Sequence, residues 1–218
     1  MWNPQLLNLL INGLWETVYM VGVSLLIAAI FGLPIGVLLV IAGQDHIRPN
    51  PALHSVLSTM VNVGRSLPFI ILLVAIVPFT RFMVGTSIGT VGAIVPLTVS
   101  AIPFFARLVE TNLLEVDGGV IEAAQAIGAT TWQIIAKVLI PEAKSGLVLS
   151  ITNSAVSLIS YSAMAGAVGG GGLGDLAIRY GYQRFQPNVM LATVIILVIL
   201  VQGVQTLGDW VARKLNHR

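Results

Sequence analysis

Apolar runs of membrane-crossing length, separated by short polar breaks, account for most of this chain. Five of them reach the roughly 20 residues that a helix needs to cross a hydrocarbon core. They extend from about Glu16 to Ala42, Val56 to Phe79, Ser87 to Phe105, Ser145 to Val168 and Val189 to Trp210. The pattern predicts an all-α integral membrane protein with five transmembrane helices. The breaks differ in kind. Gln44 to Pro51 (QDHIRPNP) is a polar turn with two prolines, Thr80 to Gly85 is a short turn carrying Arg81, and Arg107 ends the third run. Gly169 to Phe185 (GGGGLGDLAIRYGYQRF) reads as a glycine-permitted turn or re-entry that exposes Asp175, Arg179, Tyr180, Tyr182 and Arg184.

Residues inside the runs refine this picture. Gly32 and Gly36 flank Pro34 in the first run as a small-xxx-small pair, which predicts close helix packing and a kink. Arg65, in GRSLP, sits within the second run, where a charge either faces protein or a water-filled cavity or snorkels to the headgroups. Pro96 and Pro103 predict kinks in the third. The fourth carries Asn153, Ser154, Ser157, Ser160, Tyr161 and Ser162. Small polar groups act as glue between helices and also line pathways, and a central helix combines both roles. Arg65, Asn153, Ser157, Tyr161 and Met164 are therefore the candidate pathway residues. Tyr161 and Met164, three apart, share a helix face suited to an apolar cargo tail, and Asn153 and Ser157, one turn apart, suit its polar end.

One long polar interruption remains, VIEAAQAIGATTWQIIAKVLIP from Val120 to Pro141. Val120 to Ile127 forms a short helix ended by Gly128 in a left-handed cap. Thr130 caps a second helix, with Gln133 completing the S/T-x-x-Q box. Trp132, Ile135, Val138 and Leu139 share one face of that helix. Small Ala123, Ala124 and Ala126 allow a partner surface to approach, with Glu122 and Gln125 at the rim. An ordinary cytoplasmic hairpin would account for the triplet alone; the glycine, the proline and the flanking spans in register favour a docking element.

Hydrophobic residues fill 56% of 218 positions and charged ones only 9%, against about half and a quarter in soluble domains. No water-soluble portion is large enough to bury a core of its own, so any ATPase is a separate chain. Without cysteine there is no thiol nucleophile, disulfide or cysteine metal site. The net charge of +2 comes from few groups and does not indicate nucleic-acid binding. Five crossings put the termini on opposite sides. With the long loop and the C-terminus inside, Arg48, Arg107, Lys137, Lys144, Arg213, Lys214 and Arg218 are cytoplasmic, against Arg81, Arg179 and Arg184 outside, so the positive-inside rule gives N-out, C-in. Trp2 and Trp15 suit a membrane interface or packing. The absence of a basic residue ahead of the apolar stretch in Met1 to Leu14 argues against a cleaved signal peptide.

Gly169-x-Gly171-x-x-Gly174 matches the letters of a dinucleotide fingerprint, yet it follows a membrane run rather than a strand, and no GK[ST] exists in the chain. His46, His54 and His217 lie in loops or the tail without metal-ligand spacing. A proton- or ion-coupled carrier would usually place an acid within a span, whereas Asp and Glu here are expected at ends or in loops.

Glu122, Ala123 and Ala124, followed by Gly128 and Pro141, have the spacing of the EAA loop in the membrane subunits of ATP-binding-cassette (ABC) importers. From about Gly13 onward the chain resembles a type I ABC importer permease, with a transmembrane type-1 domain over 13–204 and a coupling loop over 120–141. GRSLPFIILL and GGGGLGDLAIRYGYQRF make it similar to the methionine importer permeases of Gram-negative inner membranes. That resemblance implies a homodimer, two ATPase subunits on the cytoplasmic loops holding the ATP and magnesium, and an extracytoplasmic binding protein delivering L- or D-methionine. A permease for a related small amino acid is the alternative. No cofactor is expected in this chain.

Overall fold

The computed structural model describes residues 4–44 and 46–216, and among them there is helix, turn and bend but no strand. Trp2, Asp45, His217 and Arg218, with the interface, turn and tail roles expected of them, lie outside the described residues. Helix α1 spans Pro4–Ile41, 38 residues. At 1.5 Å per residue it is about 57 Å long, well beyond the hydrocarbon core. It begins twelve residues before the expected start near Glu16, because Leu6, Leu7, Leu9, Leu10 and Ile11 continue the helix and Pro4 is tolerated in a first turn. Glu16 is thus an interior residue of this helix rather than its end.

The second run is not one helix. It divides into α2 (Pro51–Ser66), α3 (Phe69–Ala75) and α4 (Val77–Val84), with α2 and α3 bent by 98°. Pro68 is the cause. The residue before a proline is pushed out of the helical region, and Leu67 adopts φ −82°, ψ 123°. Asn50 caps α2 by accepting from Leu53 N at 3.1 Å, with Pro51 in the first turn. The expected turn at Thr80 to Gly85 is instead the last part of α4, closed by Gly85 in the left-handed region.

Helix α5 (Gly89–Leu114) passes through Pro96 and Pro103 and runs nine residues beyond the expected end at Phe105. Arg107 does not end it. Arg107 Nη1 donates to Glu110 Oε2 at 2.6 Å, and Nη2 donates to Asn62 Oδ1 at 2.6 Å and to Ser58 Oγ, bracing α5 against α2. Glu110, buried within the helix, corrects the expectation that acids occupy only ends and loops, and it is already engaged by Arg107. The glycine pair of α1 meets α5 backbone to backbone. A Cβ at Gly32 would lie 3.0 Å from Ile102 O, and one at Gly36 would lie 2.7 Å from Ala106 O.

The loop elements α6 (Gly118–Ala126), α7 (Thr131–Ile134), a π-helical turn (Ile135–Leu139) and α8 (Ile140–Glu142) lead into α9 (Lys144–Gly166). The glycine-rich segment is helical where a turn was expected: α10 (Gly172–Leu176) and a second π-helical stretch (Ala177–Tyr182) precede α11 (Pro187–Leu215). Gly172, Leu173, Gly174 and Leu176 are buried, whereas Arg179, Tyr182 and Arg184 are exposed as expected. Asp175 is half-buried and paired with Arg179, and Tyr180 is half-buried beneath the guanidinium groups of Arg179 and Arg184. Helices α1, α5, α9 and α11 are each long and apolar enough to cross a membrane, and the bent pair α2–α3 brings the count to the expected five when taken as one span.

Two apolar clusters organise the bundle. One joins Val37 and Val40 of α1 and Phe105, Val109 and Leu113 of α5 to Ile121, Ala124, Ile134, Ile135 and Leu139 of the loop. The other gathers Met20, Phe69, Leu73, Leu97, Leu158 and Ala165, from α1, α3, α5 and α9.

Candidate functional site

Local sequence builds the loop before any partner is considered. Asp117 caps α6 by accepting from Gly119 N at 2.7 Å. The helix closes through Gly128 N donating to Gln125 O at 2.9 Å and Ala129 N to Ala124 O at 3.1 Å, with Gly128 at φ 81°. Thr130 N then donates to Gln133 Oε1 and Gln133 N to Thr130 Oγ1, the reciprocal box read from the sequence. Two capped turns back to back leave the connection little freedom.

Glu122, Ala123 and Gly128 are exposed, but Ala124 is turned inward into the apolar cluster with α1 and α5. The triplet therefore divides into two outward residues and one anchor, which follows from helical geometry: Ala124 lies three residues after buried Ile121. The second helix differs from expectation too. Trp132 is 73% exposed, and the inward face is Ile134, Ile135 and Leu139 with Val138 half-buried. The chain is wound as a π-helical turn over Ile135–Leu139, and Ile134 takes the inward place expected of Trp132, beside Ile135 and Leu139, which lie four residues apart on one face. Pro141 gives that turn a cause. It has no N–H for the carbonyl of Lys137 and its ring would crowd that group, and the wider turn is closed instead by Ile140 N donating to Ile135 O. Pro141 itself is exposed. Ile127, 86% exposed, joins Trp132 on the outer surface. Ile127 was not assigned to the surface from sequence, and Trp132 was assigned to the apolar face, because an apolar residue in a polar loop reads as core.

Helix α9 sorts its polar residues by face. Ser150, Thr152, Ser154 and Ser162 point inward, and three of them are bonded: Asn112 Nδ2 donates to Ser150 Oγ at 2.7 Å, Thr152 to Val148 O and Ser162 to Ile159 O. These are the glue. Asn153, Ser160 and Met164 are exposed and Ser157 is half-buried, leaving a stripe that nothing in the chain covers among the described residues. Tyr161 departs from the stripe. Its ring stacks on Phe69 of α3 with centroids 4.8 Å apart and planes 5° apart. Met164 turns the other way, into a cleft of about 660 Å³ that it lines with Ser160, Ile178, Leu197 and Gln202. The two residues expected to share a face thus belong to different surroundings. Gln202, an amide inside the last span, was visible in the sequence as a polar interruption and was not assigned. Arg65 is exposed in the last turn of α2, at the corner before Pro68, with no hydrogen bond or ion pair among the described residues. The corner, and not a continuous span, exposes it.

The family of binding-protein-dependent transport system inner membrane components matches residues 32–218. A probable D-methionine transport system permease protein MetI of Vibrio cholerae serotype O1 is 51% identical over 97% of this chain and 94% of its own. One from Pasteurella multocida is 50% identical over 99% of both. The D-methionine transport system permease protein MetI of Escherichia coli K12 is 53% identical over 72% of this chain and 73% of its own. A chain solved in inward-facing conformations of the MetNI methionine ABC transporter superposes with a TM-score of 0.97, is 49% identical, and is covered over 99% of this chain and 100% of that one. An amino acid ABC transporter crystallised with histidines shares the fold alone, at a TM-score of 0.77 and 20% identity over 95% of this chain and 94% of that one. With the match running over residues 32–218, from the last third of α1 onward, this chain belongs to the family of binding-protein-dependent transport system inner membrane components.

Proposed function

We propose that this chain is the membrane-spanning permease subunit of an ATP-driven importer of methionine in the bacterial inner membrane. The observation that carries the reading is the loop. It presents Glu122, Ala123, Ile127 and Trp132 outward while Ala124, Ile134 and Leu139 fix it to α1 and α5 through one apolar cluster. A docking surface that shares a core with two spanning helices can pass a displacement on without deforming, as rigid-body alternating access requires. The ATPase is a separate subunit that holds the ATP and magnesium, with two copies meeting the loops of a permease homodimer. An extracytoplasmic binding protein supplies the cargo. Relatives about half identical over nearly the whole chain, whose names specify D-methionine transport, support the cargo class.

On the open face of α9, Asn153 and Ser157 offer an amide and a hydroxyl to a zwitterionic head, and Met164 with the adjoining cleft offers flexible apolar contact to a thioether side chain. The deciding experiment is uptake of labelled methionine into proteoliposomes holding the chain and its co-expressed ATPase, with binding protein outside and ATP inside. ATP-dependent uptake that survives a proton ionophore is expected. Uptake driven by a proton gradient without ATP would replace this reading with a secondary carrier.

A further inference from the structure

Glu16 and Thr17 have no part in the loop or the open face, yet both are committed to a contact 156 residues away. Glu16 Oε2 accepts from Gly172 N at 2.6 Å and Thr17 Oγ1 accepts from Leu173 N at 2.9 Å, while the Thr17 hydroxyl donates to Gly13 O at 2.9 Å. Thr17 is 1% exposed. The glycines opposite are shaped to this contact. Gly171 and Gly172 have φ 79° and 75°; a Cβ at the first would lie 2.9 Å from Glu16 Oε2 and one at the second 2.7 Å from Thr17 Oγ1. One turn earlier in α1, a Cβ at Gly13 would lie 2.6 Å from Leu176 Cδ1. One wall of the glycine-rich segment is therefore clamped to the first helix by two hydrogen bonds from its backbone N–H groups to side chains of α1 and by close apposition from Gly13 to Thr17.

The other end of α1 is fixed differently. Val37 and Val40 lie in the cluster that holds the docking loop. Glu16 and Val40 are 24 residues apart, about 36 Å along a single helix. The geometry points to α1 as a connecting rod, with Glu16 and Thr17 as positioning residues that make the glycine-rich segment move together with the docking loop during transport. This rests on the reading of the chain as an ATPase-coupled permease. It assigns a role to the first helix and to the GGGGLG sequence that neither the loop nor the α9 face explains. The segment ends against α9 as well, where Gly174 approaches Ala163 so closely that a Cβ would lie 2.5 Å from its backbone. A displacement delivered through α1 would thus reach the helix bearing the open face.

The test uses the whole transporter in proteoliposomes and reads methionine uptake per ATP hydrolysed. Thr17→Val and Glu16→Ala remove the acceptors, whereas Thr17→Ser and Glu16→Gln keep them. A five- to tenfold fall in uptake per ATP for the first pair, with complex assembly and basal hydrolysis retained and coupling restored in the second pair, is expected. An unchanged ratio in Thr17→Val and Glu16→Ala overturns the role. A second arm stands even where those variants do not assemble. The chain has no cysteine, so Gly13→Cys with Leu176→Cys can be oxidised to lock α1 to α10. Parts that travel together tolerate the lock, and uptake should stay within twofold of the reduced form. Failure to cross-link, or a block that reductant lifts, overturns the inference. Absence of any ATP-dependent uptake in the unsubstituted complex would instead refute the permease reading beneath it.

Discussion

Gly128 shows how one position controls the loop. A Cβ there would meet nothing within 4 Å, so substitution acts on the backbone alone. A β-branched residue at φ 81° costs roughly 1–2 kcal/mol in the left-handed region. Gly128→Val should therefore weaken ATPase retention on co-purification, and Gly128→Asn, which tolerates that region, should weaken it less; equal retention by all three chains would remove the cap from the docking reading. Glu110 is the second such position. Removing it leaves the largely buried Arg107 without its anion, and losing one partner of a buried pair costs about 3 kcal/mol. Glu110→Ala should lower the unfolding midpoint in detergent by several degrees, and Glu110→Gln, which still accepts a hydrogen bond, should lower it less. Gly128 and the Thr130–Gln133 box were legible in the sequence because both are local. Arg107 was not: its partners Asn62 and Ser58 lie more than forty residues away, and a lone arginine at the edge of an apolar run reads as its end.

At the scale of elements, hydropathy located the membrane segments and missed their breaks. The wholly apolar Phe69–Ala75 carries the polar residues Asn62, Arg65 and Ser66 ahead of it into one apparent run, and the restriction that Pro68 places on Leu67 marks the corner between them. The glycine-rich segment hid a helix for another reason: three left-handed glycines look like a turn, and Leu176 is buried between Leu10 of α1, distant in sequence, and Ala192 of α11. Helix α9 separates its buried packing face from the face proposed for the pathway more sharply than composition allowed. Tyr161→Ala would lose its stack on Phe69, so a fall in uptake there mixes structure with transport. Ser157→Leu, on the half-buried edge of the open stripe, is the cleaner probe. It should reduce methionine uptake several-fold at unchanged assembly and basal ATP hydrolysis, while Tyr161→Ala should lower both uptake and thermal stability. Normal uptake by Ser157→Leu would leave the stripe as a packing surface.

For the whole molecule, orientation decides whether the docking reading is possible at all. With α2–α3 counted as one crossing there are five, which would put the termini on opposite sides and the long loop, between the third and fourth, on the side of the C-terminus. The structure alters the charges that select this side. Arg107 leaves the count, being bonded within the bundle, and Arg179 is partly neutralised by Asp175 while Arg184 lies over Tyr180. Arg48, Lys137, Lys144, Arg213 and Lys214 still outnumber Arg81, Arg179 and Arg184, so the rule continues to place the loop in the cytoplasm. Single cysteines in this cysteine-free chain test it directly. Asp175 is a poor outer site because it is half-buried and paired, and exposed Thr86 and Gln183 are better ones. Thr86→Cys and Gln183→Cys should react with an impermeant thiol reagent in intact spheroplasts. Gln133→Cys, equally exposed on the opposite side, should react only after the membrane is opened. Labelling of Gln133→Cys from outside would put the loop beyond the reach of any cytoplasmic ATPase, and the docking role would fall with the orientation.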